Sequence, residues 1–319
     1  MEIVPMTLRA YAKSTLERLT SFVVEHHVRA SRRHSDVDVF LTTCLAGAPY
    51  LACLNDPTAY IAFLRSCLEP ATYTVQIVKD ASQGQREVAT KKFATLLNKL
   101  RQGAPPIPFP IAHKLGLIAD NYRGNRQPFE FERWAGDLAL FFEVSASLGY
   151  KGRLLGSITR FMRPTLCLEL GTAFGMSSMF VLSTLQANGQ DSHLVTIEGY
   201  EPVFSLAAPV LNDAFGKMVS CHRGWIQELL PSVLKSLDHI DFFFHDADHS
   251  REAYLSAFTL VEPHLAPGAA VCFDDIRWED SRVLDGPSRT YDGWMEIVGH
   301  DRVQQAVEID GNLGLLLLR

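Results

Sequence analysis

The stretch Leu168-Glu169-Leu170-Gly171-Thr172-Ala173-Phe174-Gly175-Met176-Ser177-Ser178 decides how this chain is read. It begins as an apolar strand and ends by opening a segment of helical periodicity near Met176. Glycines at 171 and 175 let the backbone between them turn sharply and approach a ligand closely. The first N–H groups of the following helix have no partner within it and face that loop. A dinucleotide fingerprint reads G-x-G-x-x-G, with a pyrophosphate on the helix N-terminus. Here the spacing is G-x-x-x-G behind an acid. That suits a carboxylate and a ribose, which need fewer close backbone approaches than a pyrophosphate.

Outward from the loop, short apolar runs alternate with segments of helix length: Thr165–Leu170, His193–Glu198, Met218–His222, Ile240–His245 and Ala269–Phe273. The alternation predicts an α/β fold with a doubly wound, Rossmann-like parallel sheet. Val303–Ile309 and Leu313–Leu318 flank Asp310-Gly311-Asn312, the signature of a terminal antiparallel hairpin. The second strand ends in Glu198, where an acid can accept both hydroxyls of a ribose.

Residues 103–110, Gly-Ala-Pro-Pro-Ile-Pro-Phe-Pro, predict an extended, non-helical break, because proline fixes φ and restricts the residue before it. They bound a mainly helical N-terminal domain over 1–110. Leu8, Tyr11, Leu16, Leu19, Phe22 and Val23 share a helical face. Asp56-Pro57 reads as an N-cap and first helical residue of a helix through Cys67. Thr72–Val78 reads as a short strand and Lys91–Leu100 as a helix. Residues 111–151 are expected to be a helical linker, with helices over Phe131–Ser147 and Leu154–Phe161, and 152–319 the α/β domain.

The formal net charge of −6 argues against a nucleic-acid binder relying on global positive charge. The basic group Arg29, Arg32, Arg33 and His34 reads as a solvated turn or a phosphate contact. No apolar run approaches the roughly 20 residues that span a bilayer, and the N-terminus lacks the h-region of a secretory signal. The six cysteines are scattered without a C-x-x-C pair. They read as free thiols, most of them buried, in a reducing cytoplasm.

The runs Leu-Glu-Leu-Gly-Thr-Ala-Phe-Gly-Met-Ser-Ser (168–178), Val-Thr-Ile-Glu-Gly-Tyr-Glu (195–201), Asp-Phe-Phe-Phe-His-Asp-Ala-Asp-His (241–249) and Leu-Ala-Pro-Gly-Ala-Ala-Val-Cys-Phe-Asp-Asp-Ile (265–276), with the closing hairpin, resemble class I S-adenosylmethionine-dependent methyltransferases. They are similar above all to the metal-dependent small-molecule O-methyltransferases of the catechol, caffeoyl-CoA and antibiotic-sugar types. The resemblance does not extend into residues 1–110. It implies a seven-stranded sheet, S-adenosylmethionine as cofactor and a small-molecule methyl acceptor, with no nucleic acid and no membrane. It is also compatible with a homodimer.

The cofactor residues it implies are Glu169, Gly171, Thr172, Gly175 and Ser177 around the methionine end, Glu198 and Gly199 at the ribose, and Asp246. Trp225 or Ile226 would line the adenine, with ordinary core packing the other reading of Trp225.

In an open α/β sheet ligands sit at the carboxyl ends of the strands, so Asp246, Asp274 and Asp275 are expected to converge. Three carboxylates in one place need a cation or shifted pKa values. The resemblance implies Mg²⁺ or another hard divalent ion, which would orient an acceptor hydroxyl and lower its pKa. The other reading makes these acids caps or cofactor contacts without metal. His249 and Asp248 are the candidate general bases, with a structural His249 as the alternative. Strand alternation turns His245 away from Asp246 and leaves it out of the site. Arg277 and Trp278 read as a loop over the substrate mouth, and Tyr291, Trp294 and Met295 as core or interface. A metal-independent N- or C-methyltransferase, a nicotinamide oxidoreductase and a non-catalytic scaffold are the rival readings.

Overall fold

A computed structural model of the protein describes residues 54–69, 71–81, 88–131, 134–146, 149–278 and 289–319. The helix expected over Leu8–Val23, the basic group at 29–34, Cys44 and Cys53 lie outside the described residues. Cys67, Cys167 and Cys272 are buried free thiols, and Cys221 is half-buried.

The described chain forms two compact units, 54–69 with 106–145 and 71–105 with 146–319. These boundaries differ from those read off the sequence. The proline run is cut within itself, and the segment 71–105 joins the α/β unit.

The first unit holds α1 (Pro57–Leu68), α3 (Phe109–Arg123), a hairpin of β2 (Pro128–Phe131) and β3 (Trp134–Asp137), and α4 (Leu138–Ser145). Asp56 caps α1 by accepting from Ala59 N at 2.9 Å. Pro108 remains extended, but Phe109-Pro110 start α3, where the donor that proline lacks is not needed. Gly116 gives room for the ring of Tyr60: a Cβ there would lie 2.9 Å from Cε2. The buried Asp120 carboxylate accepts from the backbone of Asn55 (2.9 Å) and Asp56 (2.8 Å). The helix expected over 131–147 begins only at Leu138, because the aromatic run around Phe129 and Trp134 pairs as strands instead.

The second unit is built on an eight-stranded sheet in the order β1-β9-β10-β8-β7-β4-β5-β6. Its strands are β1 (Val75–Asp80), β4 (Leu166–Leu170), β5 (His193–Glu198), β6 (Val219–Arg223), β7 (Ile240–His245), β8 (Leu265–Phe273), β9 (Val303–Ile309) and β10 (Leu313–Leu318). β6, β5, β4, β7 and β8 run parallel. β10, β9 and β1 continue the sheet antiparallel. Leu168, Phe243, Val271 and Leu316 are completely buried, as expected of strands covered on both faces.

The helices of this unit are α2 (Val88–Gln102), α5 (Gly149–Met162), α6 (Met176–Asn188), α7 (Glu201–Phe215), α8 (Ile226–Leu234), α9 (Arg251–Val261) and α10 (Thr290–Gly299). The β9–β10 turn places Asp310 and Gly311 at φ +51° and +70°, the type I′ geometry that matches strand twist. The eighth strand, β1, pairs with β9 through Val75↔Ile309 to Asp80↔Gln305. Among the described residues no helix is long and apolar enough to cross a membrane.

Candidate active site

The strand order reverses at β4, whose neighbours are β5 and β7, so the crevice of the sheet opens at its carboxyl end. Beyond the strands, Gly171 N donates to Ile197 O (2.9 Å) and Asp246 N to Leu170 O (2.8 Å), which draws the ends of β5, β4 and β7 together. Gly171, at φ +92°, is pressed against the end of β7: a Cβ would sit 2.1 Å from the carbonyl oxygen of Asp246. Gly175 N closes the loop on Thr172 O at 2.7 Å. Gly175 then starts α6 at φ +75° with no side chain capping the helix.

Glu169 lies beneath this loop, and the described hydroxyls turn toward it. Ser177 (2.6 Å), Ser178 and Thr196 (2.7 Å) all donate to its carboxylate, and Thr196 also meets the Thr172 hydroxyl at 2.6 Å. Burial raises the Glu169 carboxyl above the usual carboxylate range despite these donors. Glu169 and Ser177 thus form an internal brace under the loop.

Glu198, at the end of β5, is fixed by backbone donors from both sides: Ala173 N (2.9 Å) on one oxygen and Tyr200 N (2.7 Å) on the other. Burial lifts its carboxyl above the ordinary range, against those same N–H groups. Beside it, Gly199 supports the indole of Trp225, with a Cβ position 2.6 Å from Cε3. The indole is 56 % exposed, which rules out ordinary core packing. The donor set therefore fits a nucleoside: a fixed carboxylate for ribose hydroxyls, an open aromatic face and a glycine loop without side chains.

At the ends of β7 and β8 the structure brings Asp246, Asp274 and Asp275 together, and with them Lys151 from α5. The Lys151 ammonium forms an ion pair with Asp274 Oδ2 and lies 3.6 Å from Asp275 Oδ1. Burial alone would lower this ammonium. The Asp274, Asp246 and Asp275 carboxylates overcome that effect and hold it above the usual lysine range. Burial, then the Asp274 charge, push Asp246 well above the carboxylate range, with Lys151 opposing. The other oxygen of Asp274, Oδ1, is buried and accepts no hydrogen bond among the described residues.

Asp275 sits at φ +52°, a left-handed conformation that Asp tolerates better than most residues. Asn312 holds it by donating to Oδ1 at 2.5 Å. Tyr254 donates to the Asp274 carbonyl. Among the described residues no group of three or more His, Cys, Asp or Glu side chains is placed to hold a metal ion. With an ammonium already against Asp274, the arrangement does not fit the divalent ion expected from the sequence.

His249 Nε2 faces Asp275 Oδ2 at 3.7 Å, a charge contact rather than a hydrogen bond. Its ring tilts against Trp278, with centroids 5.5 Å apart. Asp248 is exposed and makes none of these contacts. His245 points into the core against Phe273 and Tyr254, and burial pushes its imidazole down to about 3. Arg277 is anchored to the buried Glu308 (2.6 Å) and covers the ring of Tyr291, which also donates to Glu308 (2.8 Å). This ties the loop after β8 to β9. Trp294 is fully buried, and Met295 is exposed.

Two contributors escaped sequence reasoning, Lys151 and Asn312. A clue to the first is the pair Gly149 and Gly152 flanking Tyr150-Lys151. Gly149 takes φ +46°. Gly152 lets α5 lie against Phe180, whose Cε2 is 2.1 Å from the Cβ position. Tyr150 hydrogen-bonds Asp310, and Tyr73 donates to the Tyr150 carbonyl at 3.0 Å. Lys92 on α2 reaches the Met162 carbonyl at 3.2 Å. The segment 71–105 thus braces the helix that carries Lys151.

Residues 168–276 match the family model described as a methyltransferase domain. The glycine loop and the strands β5, β6, β7 and β8 lie within that matched segment. Among solved structures the chain is similar to the SAH-bound methyltransferase PaMTH1 of Podospora anserina (13% identity, TM-score 0.53, covering 74% of this chain and 97% of that one). It is also similar to TomG, an O-methyltransferase of Streptomyces achromogenes involved in tomaymycin synthesis and solved with SAM (22%, TM-score 0.45, 55% and 82%). A third is described as a putative caffeoyl-CoA O-methyltransferase from Staphylococcus aureus (22%, TM-score 0.48, 57% and 90%). At these identities the likeness is one of fold. Comparison with curated proteins finds no match.

Proposed function

We propose that the protein transfers a methyl group from S-adenosylmethionine to a hydroxyl of a small-molecule acceptor. The observation that carries this reading is the His249–Asp275 pair, 3.7 Å apart, at the strand ends adjoining the Gly171 loop. When bound, the cofactor supplies an electrophilic methyl group on a sulfonium sulfur. Glu198 accepts the ribose hydroxyls, Trp225 offers its free face to the adenine, and Gly171, Thr172 and Gly175 allow close backbone approach. His249 takes the acceptor's hydroxyl proton at Nε2, and the Asp275 carboxylate stabilises the imidazolium that results. Trp278, 41 % exposed, gives the acceptor an apolar wall. The main work left to the protein is alignment of nucleophile and methyl group.

The test is calorimetric binding of S-adenosylhomocysteine to the full chain, followed by labelled-methyl transfer to matched sets of phenols, sugars and amines. Binding together with transfer to hydroxyls supports the proposal. Absence of binding ends the methyltransferase reading, and transfer confined to amines ends the O-methylation part of it.

A further inference from the structure

We propose that Lys151 is the built-in cation of this site, standing where a divalent metal would otherwise neutralise Asp246, Asp274 and Asp275. The inference rests on the methyltransferase reading above and concerns how that site manages its charge.

Three strand-end carboxyl groups converge at the ends of β7 and β8, and such a set is relieved by positive charge beside it or by a retained proton. The only ammonium or guanidinium paired with Asp274 or Asp275 among the described residues is that of Lys151, which bonds Asp274 and lies 3.6 Å from Asp275. At Asp275 both oxygens are engaged. Asp275 Oδ1 takes the Asn312 amide at 2.5 Å, and Oδ2 faces His249. At Asp274 Oδ2 a divalent ion would have to displace an ammonium of the same sign, which leaves only Oδ1 of that buried carboxylate without a hydrogen bond among the described residues.

The placement of Lys151 is built rather than incidental. Gly152 brings α5 against Phe180, and Tyr150, the preceding residue, is locked to Asp310 and Tyr73. Lys151 touches carboxylates, not reacting atoms, and is therefore a positioning residue. It holds Asp274 and Asp275 in place beside His249 without an exchangeable ion.

The experiment is a Mn²⁺ titration of the full chain, with and without S-adenosylhomocysteine, read by electron paramagnetic resonance. It covers wild type, Lys151→Gln and Lys151→Arg, alongside methyl transfer in excess chelator. Wild type is expected to show no saturable Mn²⁺ site and transfer that is indifferent to chelator. Lys151→Gln is expected to take up one Mn²⁺ per chain at least tenfold more tightly than wild type, and Lys151→Arg to resemble wild type. A stoichiometric Mn²⁺ site in wild type that Asp274→Asn removes would overturn the proposal, as would a folded Lys151→Gln that gains no affinity. If Lys151→Gln fails to fold, the wild-type titration and the chelator assay still decide. Loss of S-adenosylhomocysteine binding in wild type would instead sink the methyltransferase reading, and the titration without cofactor would still report on the cation.

Discussion

The indole of Trp225 rests on the bare Cα of Gly199, so closely that a Cβ at 199 would fall 2.6 Å from its Cε3. A substitution at either residue is therefore felt at the same surface. Trp225→Ala is expected to weaken S-adenosylhomocysteine binding by about 1–3 kcal/mol, the usual size of aromatic–base stacking, or roughly five- to 150-fold. Gly199→Val is expected to do much the same by pushing the indole aside, with a shift in tryptophan fluorescence. Calorimetry checks both; unaltered affinity in Trp225→Ala would remove the indole from the cofactor site.

His249→Ala separates chemistry from binding. If Nε2 accepts the hydroxyl proton, kcat is expected to fall by about 10²–10⁴ while cofactor affinity holds. Turnover and calorimetry on the same preparation give the answer, and unchanged turnover would leave His249 with a structural role only.

Glu169 predicts a pH dependence of stability. Its folded pKa is raised by burial, so the unfolded chain releases this proton first. Stability contributed by protonated Glu169 is fully present below its unfolded value, near ~4.3, and is lost as pH rises through the folded pKa. The loss cannot exceed about 1.4 kcal/mol per pH unit for one group. Glu169→Gln lacks this titration. Its stability relative to wild type is expected to rise between pH 4.5 and pH 7, as read from urea melts at several pH values. A difference that stays flat would contradict the raised pKa.

Gly171 has no tolerable substitute. Gly171→Ala combines a left-handed φ, about 1–2 kcal/mol, with overpacking against the Asp246 carbonyl, about 1–3 kcal/mol. A total near 2–5 kcal/mol is expected as a lowered Tm together with loss of cofactor binding. A variant of wild-type Tm would mean that the ends of β4 and β7 can part without cost.

The sequence by itself determined most of the α/β half of the fold. Ile240–His245, Val303–Ile309 and Leu313–Leu318 stand in the structure with the bounds that their apolar runs predict, because short buried strands between turn residues are local signals. The glycine loop, Glu198 and the strand-end acids were legible for the same reason: each follows directly on a strand. Phe131–Ser147 was not, since its apolar residues suit a helix or a strand alike and only the partner strand decides.

What the tertiary structure alone decided is the charge balance of the site. Lys151 and Asp274 are 123 positions apart and belong to a helix before the sheet and a strand near its end. Periodicity carries no record of such a meeting. It depends on Gly152 admitting Phe180 and on β1, a strand from the far side of the proline run, pairing with β9. Asn312 likewise looks like a turn residue until the hairpin folds over Asp275. The types of residue at the site were written locally, but whether its carboxylates face a metal or an ammonium was settled by packing between distant parts of the chain.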